Sequence, residues 1–323
     1  MAQTSSRILG SLKALACGDA VGKQTEGLSR AGILHWYPDG VRGFEGLPGS
    51  VIPRYVGNAK REWKIGETTD DTEGTIAVAR AILQDGDVRH ATVGQALLEC
   101  TKCVHPGVKS LWEFHLAADP ERVTPDHDGC GAAVRVAPVG ILLRSERDDE
   151  IVVAAREASI STHGGALALG AAAATAAAIS AAIDGASRLD IIELARRAAS
   201  RAECQRSGSK ISAIANAIAT IYADLRRRDD LEPADVATRY FPDRALTVAP
   251  LAIAIGAIMR SAEDAILLAT NVGGDSDSVA TIAGAILGAR YPHTVNGEWY
   301  ETVEFVNCHG LVALGERLSQ MRR

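Results

Sequence analysis

The feature that most constrains the fold is the spacing of apolar residues, which follows a helical period along almost the whole chain. Ile8 and Leu12 lie on one face of a first helix, for which Ser5 or Ser6 is a candidate N-cap. Alternating β-branched runs, which predict strands, are nearly absent. The pattern therefore predicts an all-α fold, with further helices over about 76–83, 151–159, 166–183, 191–201, 211–225, 249–260 and 279–289.

The chain is predicted to form one domain over residues 1–323. No internal repeat or low-complexity linker divides it. Hydrophobic residues make up 47% of the sequence and aromatic residues only 4%, so alanine must form much of the core and the helices can pack closely. Two residues are predicted to mark helix ends. Gly86 is predicted to end one helix, and Pro250 fits the first turn of the helix that begins at about residue 249.

The segment 29–66 interrupts the helical pattern. It contains seven glycines, three prolines and several aromatic residues, including Trp36, Tyr55 and Trp63. A long Gly/Pro-rich segment inside a compact domain is either functional or disordered, and the aromatic residues argue against disorder. The segment is interpreted as an ordered loop or lid beside a site, with a purely structural surface excursion as the alternative.

Charge and targeting signals narrow the function classes. The net charge of −6 gives no general basic field, so we expect neither nucleic acid nor membrane as a partner. The uncharged stretch 164–183 has the length of a membrane span, but its Ala and Gly content favours a buried core helix. A reducing cytoplasm is expected because no signal peptide is recognised and the six cysteines are scattered. Cys100 and Cys103 form a lone CxxC, which is interpreted as coincidence.

Two acidic clusters stand directly before predicted helices. The first is Thr69-Asp70-Asp71-Thr72 and the second lies within 273–278, in the sequence Gly-Gly-Asp-Ser-Asp-Ser. Each cluster alone is explained by capping of a helix N-terminus, where acidic and hydroxyl side chains are favourable.

The pair of clusters is harder to explain by capping, because one Asp suffices for a cap. Adjacent carboxylates repel one another unless a cation lies between them. If the two helix starts converge, Asp70, Asp71, Asp275 and Asp277 could hold two divalent cations. Oxygen-only ligands select Mg, Ca or Mn over zinc.

A third motif, Gly18-Asp19-Ala20-Val21-Gly22, is followed by Glu26 and is predicted to end the first helix. Gly18 and Gly22 either cap the helix and form a turn, or allow a ligand to approach the backbone closely. Glu26 is a candidate acid, base or metal-linked group.

Together these motifs resemble the ADP-ribosylglycohydrolase family, which includes the dinitrogenase reductase-activating glycohydrolases. The matching segments are 18–26, 69–72, 131–140, the pair Thr162-His163 and 271–278, in the family's order over about residues 6–290. The resemblance implies an all-α orthogonal helical bundle and a centre for two divalent cations, Mg or Mn. The metal ligands that it implies are Thr69, Asp70, Asp71, Asp275, Asp277 and Ser278.

The resemblance also implies the remaining site residues. The catalytic group comprises Glu26, Asp70, Asp71 and Asp277, and the substrate-binding residues are Asp19, Gly129, Cys130, Gly131, His163, Gly273 and Gly274. Cys130 stands where the family has Asn, and Ser278 where it usually has Thr. The family's Gly-Tyr-Val segment, whose aromatic ring would hold adenine, is not found.

The resulting functional hypothesis is a metal-dependent glycohydrolase that cleaves the anomeric ribosyl bond of ADP-ribosylated protein or of a small ribosyl molecule. One alternative is a hydrolase of a smaller N-riboside or nucleotide derivative. The other is a noncatalytic ADP-ribose-binding or crystallin-like protein on the same fold, since a fold does not by itself fix a function.

Overall fold

The computed structural model describes residues 2–57, 61–102, 108–209 and 211–323, and in this part of the chain the all-α prediction is confirmed. The described residues form 17 α-helices, three short 3-10 helices and no strand beyond an isolated bridge between Val51 and Lys64. The helices are α1 (Ala2–Gly22), α2 (Arg30–Trp36), α3 (Asp70–Asp85), α4 (His90–Leu98), α5 (Lys109–Ala117), α6 (Gly131–Arg135), α7 (Ala137–Leu142), α8 (Asp148–Glu157), α9 (Ala166–Asp184), α10 (Arg188–Ser207), α11 (Ala213–Leu225), α12 (Pro233–Tyr240), α13 (Ala245–Ile258), α14 (Ala262–Val272), α15 (Ser276–Arg290), α16 (Gly297–Asn307) and α17 (Leu311–Met321).

The alanine-rich helix α9 lies in the middle of the bundle, where it packs against α6, α7, α8, α10 and α13. Among the described residues it is the one helix long and apolar enough to cross a membrane, yet 89% of its most apolar stretch is buried inside the protein. Burial on all sides is typical of a core helix in a soluble domain, as predicted for 164–183.

Helices α1 and α15 run antiparallel and nearly touch. A Cβ atom on Gly10 would lie 2.2 Å from the carbonyl oxygen of Gly288, at one end of the pair. At the other end, a Cβ atom on Gly22 would lie 2.5 Å from the Cα atom of Asp277. Both distances are shorter than van der Waals contact, so only glycine allows this separation of the two backbones. The close packing places the end of α1 directly against the start of α15.

Three local predictions about helix ends are wrong. Ser5 and Ser6 lie inside α1, which begins at Ala2, and Gly18 lies in its interior and does not cap it. The motif 18–22 does end the first helix, as predicted, because α1 ends at Gly22. Pro250 is the sixth residue of α13 rather than part of its first turn. Gly18 and Pro250 are buried, and at such positions tertiary packing overrides the weak local signal for a helix end. Gly86, in contrast, caps α3 in the left-handed conformation with φ +74°, as predicted.

The segment 29–66 is ordered in the part that the structure describes, which omits 58–60. Helix α2 begins after Ser29, whose side chain accepts a hydrogen bond from the Gly32 amide. Four later residues of the segment, Ile52, Tyr55, Trp63 and Ile65, form a small apolar cluster of their own, whereas Tyr37 and Val41 belong to the main core. Both interpretations of the segment, a loop or lid beside the site and a structural surface excursion, stay predictions.

Candidate active site

Asp19 joins the first helix to the Thr-Asp-Asp-Thr cluster. Its carboxylate is fully buried and accepts hydrogen bonds from the Thr69 amide at 2.9 Å, the Thr72 amide at 3.1 Å and the Thr72 hydroxyl at 2.5 Å. Burial raises the pKa of Asp19, and the Thr72 hydroxyl opposes that shift. These contacts indicate that Asp19 positions the start of α3. Its contact with a substrate stays a prediction that this geometry does not favour.

The N-terminus of α3 is capped by Thr69 rather than by an acidic residue. The Thr69 side chain accepts a hydrogen bond from the Asp71 amide at 3.1 Å. Since the hydroxyl provides the capping bond, the carboxylates of Asp70 and Asp71 are not needed for it. Capping alone therefore does not explain why both side chains are acidic.

The start of α15 reaches the start of α3. The Ser278 hydroxyl donates a hydrogen bond to Asp71 Oδ2 over 3.2 Å. Asp277 accepts one from the Ser278 amide at 3.1 Å. Asp275 is the residue that precedes α15, but its side chain makes no capping hydrogen bond. The two acidic clusters, far apart in sequence, thus lie side by side.

The electrostatics of the carboxylates show the same proximity. Burial, with the charge of Asp277 as the next contribution, raises the pKa of Asp70 to about 6 and that of Asp71 well above its ordinary value. Burial also raises the pKa of Asp277 to about 7, while Lys23 lowers it and Asp275 raises it further. Crowded carboxylates of this kind favour either bound protons or a bound cation.

Glu26 and Lys23 lie beside the acidic cluster, just after α1. Their side chains form an ion pair, in which Glu26 is 38% exposed and Lys23 is buried. The Lys23 ammonium also lies 4.3 Å from the centre of the Trp63 ring, which belongs to the segment 29–66. Sequence reasoning selected Glu26 but missed Lys23. The signal that could have found it was the opposite charge three residues before Glu26 in a short turn.

Cys130 contacts the C-terminal cluster directly. Its thiol donates a hydrogen bond to Asp275 Oδ2, and the sulfur–oxygen distance is 2.9 Å. Burial, with the neighbouring Asp275 as the next cause, raises the pKa of the Cys130 thiol well above its ordinary value, so the neutral thiol is favoured. Cys130, one of the two residues that depart from the family pattern, therefore contacts a predicted metal ligand. Cys103, the second cysteine of the lone CxxC, lies outside the described residues.

His163 lies behind the Gly129-Cys130-Gly131 turn and is buried. A Cβ atom on Gly129 would be 3.0 Å from His163 Nε2, and one on Gly131 would be 3.1 Å from Cε1 of the same ring. The Thr162 hydroxyl is 2.7 Å from His163 Nδ1. Burial, followed by the Arg135 charge, lowers the pKa of His163 well below its ordinary value. A neutral His163 thus supports the turn from behind, and its contact with substrate stays a prediction.

Gly273 and Gly274 form a turn with positive φ angles of +85° and +67°. The Gly274 amide donates to the Leu28 carbonyl at 2.9 Å, and the Gly27 amide donates to the Gly274 carbonyl at 2.7 Å. A Cβ atom on Gly273 would lie 2.2 Å from the Leu28 carbonyl oxygen. The two glycines therefore hold the chain that follows Glu26 against the start of α15. The predicted contact of Gly273 and Gly274 with a substrate stays a prediction.

Comparison with known proteins identifies the family of the chain. The family model for ADP-ribosylglycohydrolase matches residues 1–323. The chain belongs to the ADP-ribosylglycohydrolase family. Membership makes it a hydrolase that acts on glycosidic bonds and confirms the family resemblance on which the site residues were predicted.

This ADP-ribosylglycohydrolase family member is similar to proteins of an archaeon and of a bacterium. An uncharacterized protein of Archaeoglobus fulgidus is 30% identical over 291 residues, which cover 85% of each chain. The uncharacterized protein YegU of Escherichia coli K12 is 28% identical over 307 residues, covering 90% of this chain and 89% of YegU. A solved ADP-ribosylglycohydrolase-related protein complex matches with a TM-score of 0.73 over the whole of both chains at 24% identity, which shows the shared fold.

The donor atoms of the candidate site fit a hard divalent cation. They are carboxylate and hydroxyl oxygens, the ligands that Mg and Mn prefer over softer metals. In the described parts of the chain, no three His, Cys, Asp or Glu side chains are already arranged as metal ligands around one point. The fit therefore rests on the type of donor and on the like-charge crowding of Asp70, Asp71 and Asp277, which a cation would relieve.

Proposed function

We propose that this protein is a metal-dependent glycohydrolase that cleaves the anomeric ribosyl bond of ADP-ribosylated protein or small-molecule substrates with the help of two divalent cations, Mg or Mn. The observation that carries the proposal is the contact between the two acidic helix starts, seen in the 3.2 Å hydrogen bond from Ser278 to Asp71. Family membership supports a glycosidic bond as the bond that is cleaved. We further propose a cytoplasmic location, without nucleic acid or membrane as a partner.

The residues that would hold the two cations are those of the acidic helix starts: Thr69, Asp70, Asp71, Asp275, Asp277 and Ser278. When bound, such cations orient ribose hydroxyl groups and polarise water or the leaving atom. The protein itself contributes fixed positions, because Asp19 holds the start of α3 and the Gly22–Asp277 contact holds the start of α15. Glu26 is partly exposed, and its proposed role is to exchange a proton with water at the edge of the cluster.

A second candidate is the same chemistry on a smaller N-riboside or nucleotide derivative, and the position of Cys130 favours it. A thiol is a weak hydrogen-bond donor and acceptor, whereas the amide of Asn has two strong donors and an acceptor. In this structure the Cys130 thiol is directed to Asp275, which reduces what the turn can offer to a large polar ligand.

A substrate panel distinguishes the two candidates. The protein is incubated with Mg or Mn and with ADP-ribosylated peptides, O-acetyl-ADP-ribose and nucleosides, and released ribosyl product is measured. We expect hydrolysis of an ADP-ribosyl substrate, and we expect Cys130→Asn to raise that rate because it restores a strong hydrogen-bonding side chain. Hydrolysis of nucleosides alone, unchanged in Cys130→Asn, would instead support the smaller substrate. No product from any substrate with either metal would contradict both candidates.

Removal of divalent metal should lower the melting temperature. A ligand at 100 times its dissociation constant stabilises a fold by about 2.7 kcal/mol per site, and in a chain of 323 residues this corresponds to roughly 4 °C per site. The pKa values of Asp70 and Asp277 are raised above those of the unfolded chain, so in metal-free protein their contribution to stability is lost as pH rises through about 6 to 7.

The decrease on chelation should therefore be larger at pH 8 than at pH 5.5, where bound protons replace the cation. Thermal melting is compared before and after addition of excess chelator at each pH, with metal analysis to verify removal. An identical melting temperature in the metal-free and metal-loaded protein at pH 8 would contradict a metal centre in this cluster.

A further inference from the structure

Glu26 lies in a turn that is held from two sides. It directly follows the 3-10 turn Lys23–Thr25, and carbonyl groups at such a helix end lack partners within the helix. On one side the Gly27 amide donates to the Gly274 carbonyl, which fixes the turn to the start of α15. On the other side the Glu26 carbonyl accepts a hydrogen bond from Arg54 Nη2 at 2.6 Å. The backbone of the predicted catalytic glutamate is thus fixed between two distant parts of the chain.

The Arg54 guanidinium is itself held in a fixed position. Its Nη2 atom also donates to the Tyr55 hydroxyl at 2.5 Å, and its central carbon lies 4.5 Å from the centre of the Tyr55 ring. Tyr55 is only 8% exposed and belongs to the small apolar cluster of the segment 29–66. Because an arginine that moves freely loses conformational entropy when it makes a hydrogen bond, this support favours the contact with Glu26.

The same apolar cluster also supports the side chain of Glu26. The ring of Trp63, another member of the cluster, lies against the Lys23 ammonium, which is 4.3 Å from the ring centre. Lys23 in turn forms the ion pair with the Glu26 carboxylate. The backbone and the side chain of Glu26 are therefore both supported by residues of the segment 29–66. This support matters for the rate, because a general acid or base must lie within roughly 3 Å of the proton that it transfers.

We propose that Arg54 is a positioning residue of the active site, which fixes the backbone of Glu26 so that its carboxylate is held where the proton is transferred. The proposal rests on the proposed function, in which Glu26 exchanges a proton with water. It assigns to the segment 29–66 a role in catalysis, namely the support of Glu26.

The test uses the intact protein with Mg or Mn and the substrate of the panel that the wild type hydrolyses fastest. Arg54→Met removes the guanidinium and keeps a long side chain over the Tyr55 ring, while Arg54→Lys keeps the charge and a donor. Arg7→Met is the matched control, because Arg7 is also partly buried and donates to a backbone carbonyl, that of Ile183 at 3.1 Å. Arg7 lies roughly 22 Å along α1 from Gly22, at the other end of the helix.

We expect Arg54→Met to lower kcat about 10- to 100-fold and to change KM by less than about threefold. A displaced general acid or base slows the chemical step without removing a contact to the substrate. Arg54→Lys should recover much of the lost rate. Arg7→Met should keep the wild-type kcat even if its melting temperature falls as far as that of Arg54→Met, so the comparison separates positioning from general packing.

A double-mutant cycle gives a readout that a purely structural role does not change. Glu26→Gln removes the carboxylate, and Arg54→Met is then added to it. If Arg54 acts through Glu26, the double variant should hydrolyse the substrate at the rate of Glu26→Gln alone, because no carboxylate is left to position. If the two losses multiply in the double variant, Arg54 acts independently of Glu26 and the proposal is overturned.

The remaining outcomes distinguish this proposal from the proposed function. A wild-type kcat in a folded Arg54→Met protein would overturn the role of Arg54, and the proposed glycohydrolase function would stand. If Arg54→Met does not fold, Tyr55→Phe decides, because it removes the hydroxyl that Arg54 contacts and keeps the ring. It should lower kcat several-fold, and an unchanged kcat would overturn the proposal. If the wild type releases no product from any substrate of the panel, the proposed function fails and the role of Arg54 fails with it.

Discussion

Asp277→Ala should leave the protein folded and reduce glycohydrolase turnover by roughly 10³-fold or more at saturating Mg or Mn, the effect expected for loss of a group that stabilises the transition state directly. Asp277 lies in the first turn of α15, beside Asp275 and against the end of α1. Its charge is also the largest electrostatic influence, after burial, on Asp70 and Asp71. It is therefore the carboxylate whose removal most disturbs the cluster.

The stability of the same variant distinguishes a site residue from a helix cap. Loss of a cap costs about 1 kcal/mol. Loss of a buried, repelled carboxylate should instead leave the melting temperature of the metal-free protein equal to or above that of the wild type. Asp264→Ala is a suitable control, because Asp264 is exposed in the first turn of α14 and should contribute only to the helix dipole. A folded Asp277→Ala protein with the wild-type rate would assign Asp277 to capping alone.

Gly18→Ala should destabilise the protein by roughly 3 kcal/mol, the upper end of the usual cost of overpacking. The added Cβ atom would lie 2.3 Å from the Ala280 carbonyl oxygen and 2.9 Å from the Thr281 amide nitrogen. Both are backbone atoms of α15 that cannot rotate away, so the two helices must separate. Separation of the helices would also displace Asp277, which lies against Gly22 in the same interface. We therefore expect weaker Mn²⁺ binding in this variant.

The measurement for Gly18→Ala is denaturant or thermal unfolding beside Gly297→Ala. Gly297 begins α16, and a Cβ atom there would meet nothing within 4 Å. The control should therefore change stability by less than about 1 kcal/mol in either direction. Equal stability of Gly18→Ala and the wild type would show that the α1–α15 interface adjusts more easily than its close contacts indicate.

The helical class could be predicted from sequence because the period of apolar residues is a local property. The predicted helix 166–183 and the observed α9 differ by a single residue at one end. Helix ends were less predictable where packing between distant segments decides them. Gly18 is the clearest case. A glycine near a predicted helix end suggests a C-cap, but glycine is needed here because the Ala280 carbonyl group, more than 250 residues away in sequence, leaves no space for a Cβ atom.

In the candidate site, too, local motifs could be predicted from sequence and contacts between distant segments could not. The acidic clusters were recognisable as motifs, and their order along the chain pointed to a family that the comparison confirmed. The structural roles of the neighbouring residues could not be predicted, because they depend on contacts between distant segments that a local sequence pattern does not indicate. Asp19 supports the start of α3, and Cys130 donates to Asp275. Lys23 was missed because its partner Trp63 comes from a loop whose path the sequence does not specify.

The hydrogen bond from Ser278 to Asp71 joins residues 207 positions apart, and this has a consequence for synthesis of the chain. The ribosome synthesises α3 before α15, so Asp71 cannot accept its hydrogen bond from Ser278 until α15 has emerged from the exit tunnel. A nascent chain that ends before residue 275 therefore lacks Asp275 and Asp277, half of the four cluster carboxylates. Enzymatic competence therefore requires α15, and a product truncated before α15 should be inert even where its first helices fold.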